Sequence, residues 1–328
     1  MSWQQVIDGY ELLDDPGIDG DGVAQWLARS GATDVTVNRV HGDAGSTDFV
    51  RVLIPGTAGR TVGGPAPTLG LVGRLGGLGA RPERIGFVSD GDGALTVLAA
   101  AAKLARMRSR GDVLTGDVII GTHICPDAPT RPHDPVPFMD SPVGMTTLNA
   151  HEIDPAMDAV LSVDTTKGNR ICNHLGIAIT PTVRQGWILR VSDDLLDILQ
   201  AVTGRAPVVL PLATQDITPY GNDLHHVNSI LQPATATGAC VVGVAITTET
   251  AVPGSATGST DLHSVESAVR FCIETAKAYG QGRCRFQDQA EFARLLDLYG
   301  PMTRLQAGEP TAPNLNRPKP GRAPARPL

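Results

Sequence analysis

Apolar residues recur at helical spacing through residues 3–13, where Trp3, Val6, Ile7, Tyr10 and Leu13 line one face and Ser2 offers an N-cap. A second helix is expected over residues 21–30, stopped by Gly31 and followed by a strand over 34–40. Another strand, 49–54, is stopped by Pro55-Gly56. From there apolar runs, Gly-rich turns and helical stretches alternate. Strands are expected at 68–73, 85–88, 117–123, 159–163, 175–180, 208–210 and 240–246. Helices are expected at 93–108, 193–203, from about 223, at 261–279 and at 287–299. Alternation of this kind predicts an α/β fold with a mixed, mostly parallel central sheet flanked by helices. The Pro-rich stretch 124–143 reads as a stiff functional loop.

Composition narrows the class. Hydrophobic residues make up 41 % and charged residues 19 % of 328, a globular balance, and no apolar run reaches the length of a membrane span. A net charge of −7 argues against non-specific nucleic-acid binding. Five cysteines without regular spacing and without a CxxC pair argue against a disulfide framework and favour a reducing, cytoplasmic setting. Residues 1–308 are expected to form one domain. The basic, Pro-rich residues 309–328 lack apolar periodicity and read as a disordered tail.

Three segments carry candidate chemistry. Asp90 and Asp92, in Ser89-Asp90-Gly91-Asp92-Gly93, lie between an apolar strand and a long helix, where open α/β sheets place their ligands. Helix capping is the plainer role for one of them. His123, Cys125 and Asp127 alternate at the end of the 117–123 strand, and imidazole, thiolate and carboxylate all ligate zinc. Asp164 ends a third apolar strand. Parallel strands would bring these ends to one edge. His133 and Asp134, on the Pro-rich loop, are candidate bases. His225 and His226, after Gly221-Asn222-Asp223, read either as a ligand pair or as a surface pair beside a capping aspartate, and His263 reads as solvent-exposed. There is no phosphate loop, no nucleophile elbow and no HExxH helix.

In their order, these segments resemble the co-catalytic zinc aminopeptidases and their aminoacylase-like relatives. Asp90 lies in a turn similar to the one carrying that family's metal-bridging aspartate. Residues 116–120 resemble the strand before its paired glutamates, and Asp164 resembles a further ligand. The resemblance covers roughly residues 68–280. It implies a zinc-exopeptidase-like fold and a divalent metal, zinc first, with manganese or nickel as alternatives. The metal would be held by Asp90, Asp92, His123, Asp127 and Asp164. The chain departs from that pattern at three places: Arg74 stands where the first metal-binding histidine belongs, Pro126 where the catalytic glutamate belongs, and residues 253–260 hold no histidine. Arginine cannot ligate a cation, and proline cannot abstract a proton.

Three functions follow as expectations. The first is a divergent metal-dependent hydrolase of a peptide or amide bond in a small substrate, with Arg74, His133 and Asp134 in catalytic roles. The second is a non-catalytic peptidase-like protein that binds a small peptide or amino-acid ligand, or serves as an assembly subunit. The third is metal-free catalysis by Cys125 assisted by His123. The partners expected are a small molecule or short peptide, with neither nucleic acid nor membrane, and a second copy of the chain is compatible.

Overall fold

The computed structural model describes residues 1–74, 78, 86–132, 138–254 and 258–307. Seven helices are described: α1 (Trp3–Asp14), α2 (Gly20–Arg29), α3 (Asp92–Ser109), α4 (Met145–Glu152), α5 (Asp193–Thr203), α6 (Leu262–Gly280) and α7 (Gln289–Tyr299). The larger strands are β1 (Val35–Gly42), β2 (Gly45–Ile54), β3 (Leu69–Gly73) and β4 (Val118–Ile124), which precede a two-stranded hairpin of β5 (Thr130–Arg131) and β6 (Phe138–Met139). They are followed by β7 (Ala159–Thr166), β8 (Gly176–Ile179), β9 (Val183–Arg184), β10 (Trp187–Ile188) and β11 (Cys240–Thr247).

The main sheet runs β1-β2-β4-β3-β7-β11-β9-β10, and β8 also pairs with β11. The centre is parallel: β3 pairs with β4 and β7, and β7 with β11. Leu69 is level with both Val118 and Ala159, and Ala159 is level with Cys240, so the four strands start in line and end on one edge. The flanking strands are antiparallel. This is the mixed, mostly parallel sheet that the sequence predicts.

Period-two alternation sends Leu69, Leu71, Ile120, Leu161, Val163, Val242 and Val244 into one core with α1, α3 and α6. Val72, Ile119, Val160, Val241 and Ala245 face a second core with Ile153, Ile217, Ile230 and Leu231. Helix α3 is buried almost all round, which suits its run of alanines. No helix among the described residues is long and apolar enough to cross a membrane.

Three expectations about elements are corrected, and one helix is new. No α-helix starts near Asp223: Gly221 and Asp223 both have positive φ (88° and 63°), and the Asp216 carboxylate accepts from Val227 N (2.6 Å) and Asn228 N (3.3 Å), fixing a compact turn instead. Residues 208–210 contribute only an isolated bridge, Ile179 to Val209. Of the expected 85–88 strand, residue 85 lies outside the described residues, and Val88 runs extended into a 3-10 turn at Ser89–Gly91. Helix α4 was not expected at all, and it proves central to the site.

The β1–β2 hairpin is tied to α2 through Asp48. Its carboxylate accepts from Arg39 Nε (2.6 Å) and Nη2 (2.8 Å) and from Gly20 N at the start of the helix (2.9 Å). The hydrogen bond from Arg39 holds this carboxyl below its ordinary value. A depressed carboxyl stabilises the fold above its unfolded-state pKa near 3.8 and loses that contribution as pH falls through the folded value. Asp48→Asn is therefore expected to cost about 1 kcal/mol at pH 7, discounted because Arg39 is half exposed, with the two urea midpoints converging towards pH 3.

Candidate functional site

The carboxyl ends of the parallel strands carry a buried polar cluster. β3 runs out into Arg74, whose backbone N–H donates to Val163 O of β7 (2.8 Å), so the guanidinium leaves from between two strands. Helix α3 begins hard against this point. A Cβ on Gly93 would lie 2.6 Å from Val163 O and 2.7 Å from Arg74 O, so only glycine permits the approach. On the other side, α4 lies beside β4 and offers Asn149 and Glu152.

Arg74 is 1 % exposed. Its Nη1 donates to Glu152 Oε2 and to Asn149 Oδ1 (3.2 Å), and its Nη2 lies against the Met145 sulfur. Glu152 Oε1 meets His123 Nδ1 at 2.7 Å. Asn149 is fixed in turn by bonds from its Nδ2 to Gln232 O (3.1 Å) and Thr235 Oγ1 (3.2 Å). A buried Arg74–Glu152–His123 chain therefore crosses from β3 through α4 to β4, with its charges paired.

The aspartates form the other half. Asp90 lies in the 3-10 turn, where its backbone N–H donates to Gly254 O (3.1 Å). A Cβ on Gly254 would come within 1.8 Å of Asp90 Oδ2, so the glycine is what makes room for the carboxylate. Asp92 Oδ1 accepts from Thr260 Oγ1 (2.7 Å), and Asp164 Oδ1 accepts from Thr165 N (2.8 Å). All three are buried, and burial pushes their carboxyls up, to about 6 for Asp90 and about 7 for Asp92 and Asp164. Lys167, just past β7, opposes the rise at Asp90 and Asp92, and Arg74 opposes it at Asp164. Burial lowers the Lys167 ammonium, while Asp92, Asp90 and Asp164 pull it back up. Its Nζ is buried and makes no hydrogen bond.

The structure thus gathers Arg74, Asp90, Asp92, His123 and Asp164 at one sheet edge. Asp127 is exposed on the turn after β4, and His133 and Asp134 lie outside the described residues. Cys125 packs in a small apolar cluster with Val88, Ala128 and Met139, and burial pushes its thiol up to about 12, which keeps it protonated and poorly nucleophilic. Glu152, Asn149 and Lys167 escaped the sequence reading. The signal for Lys167 was a lysine three residues beyond the strand-end Asp164.

The implied metal can be tested against these donors. Among the described residues, no three His, Cys, Asp or Glu side chains come together as a metal ion requires. Glu152 is taken by Arg74 and His123, and one oxygen each of Asp92 and Asp164 is already bonded. A positively charged side chain stands in each half of the cluster. The described residues do not fit a resident metal.

Fold and site together define a mixed α/β protein with a buried polar centre at the carboxyl edge of its parallel strands. Residues 38–309 match the family described as "Protein of unknown function (DUF1177)", and the chain belongs to that family. No curated protein matches it in sequence. Among solved structures it is similar to the bottromycin maturation enzyme BotP in complex with Mn (TM-score 0.52, 18 % identity, 85 % of this chain and 71 % of that one). It is also similar to a glutaminyl cyclase from an Acidobacteriales bacterium (TM-score 0.51, 15 % identity, 86 % of this chain and 94 % of that one). At such identities the likeness is one of fold.

Proposed function

We propose that this protein binds a small amino-acid- or peptide-like ligand at the carboxyl edge of its sheet, as a peptidase-like fold without a working two-metal centre. The observation that carries the reading is the pairing of Arg74 with Glu152, which puts a neutralised ion pair where peptidase-like chemistry would need a metal ligand. The rest of the edge suits a zwitterion. Asp90, Asp92 and Asp164 offer acceptors for an ammonium group, and the unbonded Lys167 Nζ offers donors for a carboxylate or amide carbonyl. Opposite charges held apart in a poorly solvated site favour a ligand with the same separation.

The test is thermal melting of the full chain with a panel of free amino acids, dipeptides and their amides, with and without chelator. A ligand at a hundredfold excess over its Kd is expected to raise Tm by about 4 °C, unchanged by chelator. Lys167→Met should abolish the shift while keeping the circular dichroism of the wild type. If no compound in the panel shifts Tm, the reading fails.

A further inference from the structure

We infer that a second binding site, for a small phosphate-bearing molecule, lies at the far end of α3 from the carboxyl edge. Arg106 is four turns beyond Asp92 on that helix, which sets the two sites roughly 20 Å apart.

The ends of α2 and α3 meet at this point. A Cβ on Gly31 (φ 101°) would lie 3.1 Å from Ser109 Cβ and 3.2 Å from Ala105 O, so the chain leaving α2 runs against the last turn of α3. Their contact borders a cavity of about 620 Å³ whose lining includes Gln5, Trp26, Arg29, Arg106 and Arg110, with Asp8 as the acid among its described residues. A cavity of that size suits a small organic ligand.

Its charge is unbalanced, on a chain whose net charge is −7. Among the described residues, none of the three arginines forms an ion pair. Arg106 Nη1 donates to Gln4 Oε1 (3.0 Å), and the side chains of Arg29 and Arg110 make no hydrogen bond there. Nor do they cap the helix ends, the ordinary use of cations in a last turn. The carbonyls concerned are already bonded: Trp26 O and Leu27 O accept from Ser30 N (3.1 and 3.0 Å), Met107 O from Arg110 N (3.0 Å), and Arg106 O from Ser109 Oγ (2.9 Å).

The cavity also holds an unpartnered amide. Gln5 is 7 % exposed, yet its side chain makes no hydrogen bond among the described residues, and the Trp26 indole N–H makes none either. An amide so placed costs stability unless a partner reaches it through the cavity. Three guanidiniums, an amide and an indole N–H form a set of donors without matching acceptors. A carboxylate fills one arginine fork, whereas a phosphate dianion offers oxygens to several donors at once, and guanidinium suits it well. The volume leaves room for an organic body beside Trp26.

The test is calorimetric titration of the full chain with inorganic phosphate and with phenyl phosphate, in phosphate-free buffer at constant ionic strength. The wild type is expected to bind about one equivalent of each. Arg29 and Arg110 are exposed and bond to nothing, so Arg29→Gln/Arg110→Gln should melt as the wild type does while its affinity falls on the order of tenfold or more. Gln5→Leu should weaken phosphate about threefold. A wild type that binds neither compound overturns the inference, as does either variant binding as tightly as the wild type. Binding to phosphatidate vesicles with none to the soluble compounds also overturns it, because the source would then be a membrane lipid. Neither variant touches the carboxyl edge, so the result is independent of the ligand proposed there.

Discussion

Replacing Arg74 by methionine is expected to lower stability by about 3–5 kcal/mol, enough to leave a domain of ordinary stability barely folded. The loss does not come from the bond itself. Taking away the guanidinium leaves Glu152, whose side chain is fully buried, as an uncompensated carboxylate beside His123, and Asn149 loses a donor as well. The double variant Arg74→Met/Glu152→Gln removes both charges and should recover at least half of the loss, because the penalty belongs to the orphaned charge. Urea unfolding of the two variants and the wild type, with unchanged m-values, checks the point. A cost below 1 kcal/mol for the single variant would mean that water reaches the pair.

Asp164→Asn should do the reverse and stabilise the protein at alkaline pH. Burial raises the Asp164 carboxyl from near 3.8 to about 7. Between those values the folded chain holds a proton that the unfolded chain has released, so this group's contribution to stability falls as pH rises from about 4 to 7. Above that range the folded protein carries the full cost of an ionised buried carboxylate. Asparagine keeps an oxygen for Thr165 N and carries no charge. The expected gain is on the order of 2 kcal/mol at pH 8, below the ~4 kcal/mol that a rise from 3.8 to about 7 corresponds to, because the polar amide that replaces the carboxyl must itself be buried. The gain should vanish near pH 4. A variant less stable than the wild type at pH 8 would show that the carboxylate is fully compensated in the fold.

How far the sequence could be read follows from how local each feature is. The long helices and the central strands are written in runs of apolar residues, and α3 and β11 follow from them directly. The convergence of Asp90, His123 and Asp164 was legible because all three sit at the ends of apolar strands or just beyond them, and parallel strands must present those ends together. Helix α4 was not legible. Its eight residues offer only Met145, Leu148 and Ala150 as apolar positions, two adjacent threonines, and no side-chain cap. It forms because it docks on β4 and the segment near Gln232. Glu152 was hidden with it, since its partners lie 78 and 29 residues away. The segment near Asp223 misled in the opposite way. Gly-Asn-Asp has the look of a helix start, yet the carboxylate that organises the backbone there is Asp216, and it does so by capping a turn.

The order of strands in the sheet has a consequence for how the protein is made. β7 lies between β3, which precedes it in the chain, and β11, which follows it only after β8, β9, β10 and α5. At about 5–20 residues per second, a ribosome needs on the order of ten seconds to pass from β7 to the end of β11. Throughout that interval the nascent chain carries an open parallel strand edge with Val160, Leu161 and Val163 beside it, and α6 has not yet emerged to cover the α1–α3 face. Chains released before residue 240 should accumulate as insoluble material or in complex with holding chaperones, whereas release after residue 280 should yield soluble protein.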